Sequence, residues 1–520
     1  MPTTASHVRG LRCHTQCGCI LRVARARCGA SASRGGLFHA DPEVDVATST
    51  LVELQGSQGS TTRSSCKILS IRDVKNNPMT RAERTVNESR ELAQWPTDAL
   101  RRFRDRERAT YEAIKTRAVP FNLARGKPAS EQVALADQLL ILAARPEDCW
   151  AEDGTDCRNY YGSPQGLIEA CRLFAPMLGA PAEQVLVANN SSLELMHDAV
   201  VYALLTGAHD GATPWRDQGR PIRFLCPSPG YDRHFQICEQ YGIEMIPVSL
   251  TGTGPNMDEV EQRAADPLVK GMWCVPKYSN PTAETYSSDT VARLARMPAA
   301  DDFRVFWDNA YAVHHLTDTP DLLDNVLDVC ASAGNPDRAL VFGSTSKITF
   351  AQAGLGLFAT SPANMRWFVS RVSTRTIGPD KLNQLRHVRL LRDNAGIAAH
   401  MEKHRRLLGP KFAAVLEVFE NRLGATGVAT WSHPRGGYFV SLDVLDGCAR
   451  RVVALAKAAG IEMVPAGRTF PYGHDPRDRN IRIAPSFPPA EEVRAAVEAL
   501  ATCVLVATSE RLLADRGVNG

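Results

Sequence analysis

The chain has 520 residues, enough for two or three domains that each bury a sizeable core. Its formal net charge of +3 gives no general electrostatic reason to expect binding to nucleic acid or to a membrane surface. Hydrophobic residues make up 44% of the chain, an ordinary proportion for a globular protein. No uninterrupted apolar stretch approaches the roughly 20 residues that span a bilayer.

Residues 1–85 have an irregular, turn-rich composition without sustained periodicity, so we expect little structure there. The first acidic residue is Asp41, and the arginines, serines and alanines before it resemble an organelle transit peptide. The alternative is that the assigned coding region begins too early and includes untranslated codons, in which case Met79 offers a later start. We favour disorder or a wrongly assigned start over organelle targeting, and therefore expect a cytoplasmic protein.

The cysteines give no sign of a metal site or a disulfide framework. Of the 14 cysteines, those from Cys66 onward are scattered without metal-ligand spacing, as expected of reduced, mostly buried thiols in a cytosolic enzyme. The other four crowd the N-terminus, at Cys13, Cys17, Cys19 and Cys28. A zinc site there is conceivable, but the spacing fits no standard pattern, so we expect no metal.

From residue 86 onward the apolar periodicity predicts helices and strands in alternation. A charged amphipathic helix is expected over 97–116. Helices are then predicted over 166–178, 191–206 and about 234–241, with strands over 185–189, 223–226, 244–248 and 271–275. Two further runs, 304–308 and 339–343, are short and rich in β-branched or aromatic residues, which is typical of buried parallel strands. This order predicts an α/β fold with a doubly wound, mostly parallel sheet.

The pattern changes near residue 394. A long amphipathic helix is predicted over 394–423, then a strand over 437–442, a helix to 459, a strand over 480–484 and a final helix from 490. This part reads as a smaller α+β domain. We therefore expect an extension (1–85), a segment that contributes to the small domain (86–150), a large domain (151–393) and the C-terminal part of the small domain (394–510).

Two residues at the ends of predicted strands carry the clearest chemical signal. Asp308 ends one apolar run, and Lys347 follows the next, within Gly343-Ser-Thr-Ser-Lys347. Parallel α/β sheets bind ligands at the carboxyl ends of their strands, where both residues fall. A lysine amine can form a Schiff base with the aldehyde of pyridoxal phosphate, and an aspartate can hold a proton on its pyridine nitrogen. The pair therefore indicates a pyridoxal phosphate enzyme with a large cofactor-binding domain.

Further motifs occur in a recognisable order along the chain: Arg125-Gly-Lys-Pro128, Tyr161-Gly-Ser-Pro-Gln-Gly166 and the Lys347 block. Together they resemble the fold-type I pyridoxal phosphate-dependent aminotransferases of the class I/II superfamily. The nearest resemblance is to the bacterial aspartate aminotransferase subgroup that carries these blocks, and it covers about residues 92–508.

The resemblance implies roles for the residues around the cofactor ring. Lys347 would form the Schiff base and, once freed, move the proton between the substrate and the cofactor. Asp308 would pair with the pyridinium nitrogen. Tyr311 and Asn280 would bond the phenolate oxygen of the cofactor. Tyr231 would stack on the pyridine ring.

For the phosphate, the resemblance implies Ser191 and Ser192 at a helix N-terminus, with hydroxyls from Ser344 and Ser346. Many relatives carry an arginine eight residues after the lysine, but here that position is Leu355, which leaves the phosphate cation unassigned. Tyr161 matches a tyrosine that reaches the phosphate of a neighbouring subunit. The active site would then require a homodimer.

For the substrate, Arg482 matches the arginine that clamps the α-carboxylate, because a guanidinium fork fits a carboxylate bidentately. Asn280 and Gly126 would lie near the same carboxylate, where a side chain in place of Gly126 would crowd it. A distal carboxylate needs a second cation. Arg375, from the same subunit or from across a dimer, is our choice, with Lys127 and Arg435 as alternatives.

The favoured function is transamination from an amino acid, expected to be L-aspartate, to a 2-oxo acid, expected to be 2-oxoglutarate, with ping-pong kinetics. A β-lyase or decarboxylase on the same fold would use the same residues. A regulator with an aminotransferase-like sensor domain is a third hypothesis, but residues 1–85 lack the helical periodicity of a winged helix.

Overall fold

The computed structural model describes residues 91–117, 120–160 and 162–518. The expectations for residues 1–85 therefore lie outside the described residues, and so does Tyr161. The first helix, α1 (Thr97–Arg117), matches the predicted amphipathic segment and buries Leu100 and Tyr111. The Tyr111 hydroxyl donates a hydrogen bond to the carbonyl of Leu455 at 3.2 Å. Strand β1 (Phe121–Asn122) and helix α2 (Ser130–Ala134) follow.

The next part of the chain alternates helices and strands, as predicted. In order it contains α3 (Ile168–Leu178), β2 (Val185–Val187), α4 (Ser192–Thr206), β3 (Arg223–Pro227), α5 (Asp232–Gln240), β4 (Glu244–Val248), α6 (Met257–Ala264), β5 (Val269–Cys274), α7 (Ser288–Arg296), β6 (Arg304–Asp308), α8 (Val326–Ser332), β7 (Ala339–Ser344), β8 (Gly356–Thr360) and α9 (Pro362–Arg375).

These strands form a seven-stranded sheet in the order β2-β8-β7-β6-β5-β3-β4. The pairs from β7 to β4 are parallel, and β8 runs antiparallel to both β7 and β2. The expected doubly wound, mostly parallel sheet is therefore confirmed, whereas the sequence did not indicate β8. Successive residues of β6 point to opposite faces, so Phe306 and Trp307 enter two different apolar cores.

The remaining elements are α10 (Lys381–Leu391), α11 (Asn394–Leu423), β9 (Ala429–Trp431), β10 (Val440–Val444), α12 (Ala449–Ala458), β11 (Ile461–Glu462), β12 (Asn480–Ile483) and α13 (Ala490–Ala514). Strands β12, β10 and β9 form an antiparallel sheet, and β1 pairs in parallel with β11. A third apolar core lies among α1, α12, α13 and the C-terminal half of α11.

Helix α11 contributes to two of these cores. Ile397 and Met401, near its start, pack with one core of the large sheet, and Phe412 and Phe419 pack with the core of the C-terminal part. The separate third core supports the predicted division at 151–393 and 394–510, which stays a prediction. Within the described residues no helix is both long and apolar enough to cross a bilayer.

Candidate active site

The predicted chemical residues meet in one cavity of about 490 Å³, located where β6 and β7 end. Of the residues selected from the sequence, eleven line it: Gly126, Ser191, Ser192, Tyr231, Asn280, Asp308, Tyr311, Ser344, Ser346, Lys347 and Arg482. Strands β6 and β7 are parallel neighbours with Asp308 in register with Phe342, which places the segment after each strand at the same sheet edge.

Lys347 lies three residues after β7, and its Nζ is 4.9 Å from the centre of the Tyr311 ring. Burial lowers the pKa of the Lys347 amine, and the charge of Asp308 opposes that shift. A lowered pKa keeps a larger fraction of the amine neutral near pH 7, which is the form that attacks an aldehyde. Burial also raises the pKa of Tyr311, so its hydroxyl stays protonated and can donate a hydrogen bond.

Asp308 has one carboxylate oxygen bound and one free. Its Oδ2 contacts Nε2 of His234 at 3.1 Å, whereas its Oδ1 is buried and has no hydrogen-bond partner among the described residues. A buried unpaired carboxylate oxygen is costly, so a ligand that donates a hydrogen bond is expected at this point. A protonated pyridine nitrogen is such a donor, and the site therefore fits pyridoxal phosphate.

His234 is a functional residue that the sequence reasoning missed. It is buried, and its ring stacks on Trp273 with centroids 4.5 Å apart and planes at 9°. The stacked ring aims Nε2 at Asp308 and so fixes the carboxylate. His234 follows Tyr231 by three residues at the start of α5, and the two rings lie 5.0 Å apart. That spacing on a helix was the available signal.

The N-terminus of α4 and the loop after β7 form the end of the cavity expected to hold the phosphate. Ser191 caps α4 by accepting from the backbone N–H of Glu194, and Ser192 and Leu193 in the first turn of α4 line the cavity. The hydroxyls of Ser344 and Ser346 are 2.6 Å apart. A Cβ on Gly356 would lie 2.7 Å from the Ser191 carbonyl oxygen, so this close approach requires glycine.

Leu355 cannot replace the arginine that many relatives carry. Its side chain is fully buried in an apolar core of the large sheet, and its N–H donates to Thr345 Oγ1 at 2.8 Å. Leu355 therefore serves the apolar core rather than the phosphate. The positively charged side chains in the cavity lining are those of Arg125, Lys127, Arg233, Lys347 and Arg482.

Arg482 projects from β12 into the opposite side of the cavity. Its Nη1 donates to Asn280 Oδ1 at 3.4 Å and forms an ion pair with Asp232 Oδ1 at 3.5 Å. Its guanidinium carbon lies 4.8 Å from the centre of the Phe439 ring, and its buried Nε has no partner among the described residues. A guanidinium with an unused donor can receive a carboxylate.

Phe439 also explains Gly126. A Cβ at position 126 would collide with the Phe439 ring, so any larger residue would displace the ring that lies on Arg482. A larger residue at position 126 would therefore also disturb the expected carboxylate site through Phe439, and direct crowding of the carboxylate stays a prediction. Tyr231 also lines the cavity. Burial raises the pKa of its hydroxyl to about 12, so the hydroxyl remains neutral.

Arg375 does not line the cavity of its own chain. At the end of α9 it forms ion pairs with Glu194 at 2.5 Å and with Asp198 at 3.0 Å, both on α4. Its charge is therefore already neutralised within the subunit. Arg435 is likewise paired, with Asp321 at 2.6 Å, outside the cavity.

Two cations at the rim of the cavity are better placed than Arg375. Lys127 lines the cavity, with its Nζ 3.8 Å from the centre of the Phe487 ring. Arg125, which the sequence reasoning passed over, is exposed, and its guanidinium has no hydrogen bond, ion pair or ring contact with any described residue. A contribution from Arg375 or Tyr161 of a second subunit stays a prediction.

Comparison with known proteins supports the interpretation that this cavity is an active site for pyridoxal phosphate. The aspartate amino-transferase family model matches residues 96–516. A Mycolicibacterium smegmatis protein with an aminotransferase name is 51% identical over 413 residues, covering 79% of this chain and 96% of that protein. An aspartate aminotransferase of Corynebacterium glutamicum is 45% identical over 427 residues, covering 82% and 98%. A crystal structure of an aspartate transaminase from that organism, 45% identical, aligns with a TM-score of 0.79 over 82% of this chain and all of its own.

Proposed function

The chain belongs to the aspartate aminotransferase family, and on that premise we propose that it transfers the amino group of L-aspartate to 2-oxoglutarate. It is a pyridoxal phosphate-dependent aminotransferase of fold type I.

One observation carries the proposal. A single cavity contains the Lys347 amine, the unpaired Asp308 Oδ1 and the unpaired Arg482 Nε. The first can bind an aldehyde, the second a protonated ring nitrogen and the third a carboxylate. An amino acid and pyridoxal phosphate together present those three groups.

Different residues would hold the ring and the phosphate of the cofactor. Asp308, held by His234, would take the ring nitrogen, and Tyr231 would lie against the ring. The first turn of α4, Ser344 and Ser346 would take the phosphate. When bound, pyridoxal phosphate supplies an aldehyde that receives the amino group and a ring that accepts the electron pair released at the substrate α-carbon.

The chain itself supplies the proton transfer and the orientation. Burial lowers the pKa of Lys347, so its amine is neutral more often than that of an exposed lysine and is suited to remove and return a proton. Arg482 would hold the α-carboxylate, with Asn280 bracing the guanidinium. The Tyr311 hydroxyl, which stays protonated, would donate a hydrogen bond to the phenolate oxygen of the cofactor.

Preference for aspartate requires a cation for its second carboxylate. Arg125 supports this role best, because it lines the cavity and no described residue neutralises it. Lys127, two residues along, is the second candidate. An exposed guanidinium would be neutralised by the substrate itself, so binding would depend on a dicarboxylic amino acid.

We also propose that the enzyme is a cytoplasmic homodimer. The exposed Tyr160 and Ile377 are large apolar side chains on the segments that contain Tyr161 and follow Arg375. Burial of such residues against a second copy is favourable, and it would bring Tyr161 to a neighbouring phosphate. Sedimentation of the purified protein would measure the dimer directly.

The proposed activity is tested by its two half-reactions. The yellow purified protein should bleach with L-aspartate and recover with 2-oxoglutarate, with oxaloacetate and glutamate formed in turn. Lys347→Ala should lose this cycle, and Lys347→Arg should lose it as well, because a guanidinium remains protonated and cannot form the Schiff base.

The products separate the alternatives. Alanine formed from aspartate would indicate a decarboxylase, and pyruvate with ammonia from other amino acids would indicate a β-lyase. A protein that retains its colour but transfers no amino group from any amino acid would contradict the proposal.

A further inference from the structure

Behind the cavity, a buried group of polar side chains holds the backbone that carries Lys347. The carbonyl oxygen of Ile348 lies 2.7 Å from Nε2 of His400 and 2.9 Å from Nε2 of His404. The preceding carbonyl, of Lys347 itself, receives longer contacts from Nε2 of His314 at 3.3 Å and from the Tyr438 hydroxyl at 3.4 Å. Four side chains therefore converge on two successive carbonyl oxygens.

The contacts determine which histidine nitrogen carries the proton. A carbonyl oxygen only accepts, so His400 and His404 must each donate from Nε2. Nδ1 of His404 is then free to accept, and Nε2 of Gln132 donates to it at 3.1 Å. The second proton of that amide goes to the Tyr438 hydroxyl at 3.0 Å. The Gln132 carbonyl oxygen accepts from the Ala129 N–H at 3.1 Å.

Burial keeps these histidines neutral. It lowers the pKa of His404 to about 4, lowers that of His400, and lowers that of His314 well below its usual range. The neutral rings retain the hydrogen-bond pattern at physiological pH. They also add no positive charge beside the Lys347 amine, whose other titratable neighbours are Asp308 and Tyr311.

The group connects three parts of the chain to the lysine loop. His400 and His404 lie one turn apart on α11, and Tyr438 precedes Phe439, the residue that contacts Arg482. Gln132 lies in α2, five residues after Lys127 at the cavity rim. The backbone at Lys347 is therefore connected to two segments on the substrate side of the cavity, one that contains Lys127 and one that contains Phe439.

We propose that His400, His404, Gln132 and Tyr438 are positioning residues that hold the two peptide units after Lys347, through the carbonyls of Lys347 and Ile348, so that the Lys347 amine points into the cavity. The inference rests on the proposed role of Lys347. These side chains do not line the cavity. They act through the backbone, which transmits their position to the lysine side chain.

The decisive comparison uses two substitutions at one position in the full-length, cofactor-loaded protein. His404→Gln keeps one donor and one acceptor, and His404→Leu keeps neither. The measurement is a pH titration of the visible absorbance of the lysine-bound cofactor. Loosening the loop admits water to the lysine nitrogen that joins the cofactor, which favours its protonated form, so His404→Leu should raise the titration midpoint by about half a pH unit or more. His404→Gln should return it to the wild-type value.

A kinetic result should accompany the spectroscopic shift. A displaced amine transfers the proton poorly but leaves Arg482 in place, so His404→Leu should lower kcat by about 10-fold with little change in KM. If His404→Leu titrates like wild type, the positioning role is wrong. If Lys347→Ala binds and cycles the cofactor like wild type, the proposed role of Lys347 is wrong instead.

A second pair of variants covers the case in which His404→Leu does not fold. Tyr438→Phe removes one buried hydroxyl that joins Gln132 to the lysine loop. Tyr111→Phe removes another buried hydroxyl, bound to the Leu455 carbonyl in a helix contact away from the cavity. Tyr438→Phe alone should move the titration midpoint. Equal midpoints in both variants would overturn the proposal.

Discussion

The two sides of the cavity differ in how their charges are held. On the sheet side, which comprises Asp308, Lys347, Ser344 and Ser346, the groups are buried or half-buried, and other side chains anchor them, as His234 anchors Asp308. On the rim side, which comprises Arg125, Lys127 and Arg482, two of the three cations are exposed and lack an ion pair with any described residue. The side that performs the chemistry is preorganised, and the side that selects the substrate leaves charge for the substrate to neutralise.

This difference has a physical basis. Proton transfer and charge stabilisation depend on fixed geometry in a site that excludes water, so loose groups there would reduce the rate. Substrate selection depends on the difference in affinity between amino acids, and an unpaired cation makes that difference large. Substitutions on the sheet side should therefore lower kcat, and substitutions at Arg125 or Lys127 should mainly raise KM.

The largest effect is expected at Asp308. Asp308→Asn removes the negative charge that would keep the ring nitrogen protonated, and the loss of such an electrostatic contact typically costs about 10²–10³-fold in kcat. Stopped-flow measurement of the aspartate half-reaction would give the rate. His234→Gln, which weakens only the support of Asp308, should lose less. A reversed order would contradict the assignment of the free Oδ1 to the cofactor.

At Arg482 the expected loss is smaller and of a different kind. Arg482→Lys keeps the charge but loses the bidentate fork, at a cost of about 2 kcal/mol, or roughly 30-fold in kcat/KM. Steady-state kinetics with several amino acids would check this. Because every amino acid has an α-carboxylate, the loss should be similar for all of them. A loss confined to aspartate would mean that Arg482 binds the distal carboxylate.

Arg125 gives the sharpest test of the rim. Arg125→Gln should raise KM for aspartate by about 10-fold, because a charged hydrogen bond to the distal carboxylate is lost. KM for alanine, which lacks that carboxylate, should not change. Lys127→Gln is the matched variant two residues away, and an effect found there instead would transfer the role to Lys127.

The smallest effect concerns stability rather than rate. The pKa of His404 is about 4 in the folded protein and about 6.5 when unfolded, so the unfolded chain binds the proton first as the pH falls. The stability contributed by the neutral ring is complete above pH 6.5 and is lost progressively down to about pH 4. Urea unfolding at several pH values should show a shallower decline for His404→Gln than for wild type.

The pH dependence of the free energy of unfolding must be compared between wild type and His404→Gln, because Glu284 stabilises the folded state as the pH falls, whereas His404 destabilises it. Burial raises the pKa of Glu284 to about 7, so the folded state binds its proton first as the pH falls from 7 towards 4.5. Glu284 is present in both proteins, and its contribution cancels in the difference. Parallel pH profiles for wild type and His404→Gln would contradict the buried neutral state of His404.

Much of the fold could be predicted from pattern alone. The helix predicted over 394–423 is found as α11 (Asn394–Leu423), because its apolar positions recur without interruption. Lys347 and Asp308 share a cavity because neighbouring parallel strands end at one edge. Strand β8 escaped prediction because five residues after a loop do not reveal which neighbour they pair with, or in which direction.

The candidate site was predictable where residues act through their own chain position, and less so where they act through partners distant in sequence. The spacing of His234 from Tyr231 was a weak local signal, but its contact with Asp308 joins residues 74 positions apart, which spacing alone does not indicate. Arg375 seemed available in the sequence, yet Glu194 and Asp198, on an earlier helix, neutralise it. Arg125 was overlooked because an unpaired charge is recognisable only once every neighbour is placed.

The most direct test of the central claim is to map the lysine that carries the cofactor. Borohydride adds hydride to the carbon–nitrogen double bond and fixes the cofactor to that lysine, which peptide mass spectrometry then identifies. We expect the phosphopyridoxyl group on Lys347, and we expect it to be lost after prior incubation with L-aspartate. Attachment to another lysine, such as Lys127, would contradict the sheet-side assignment on which every other inference depends.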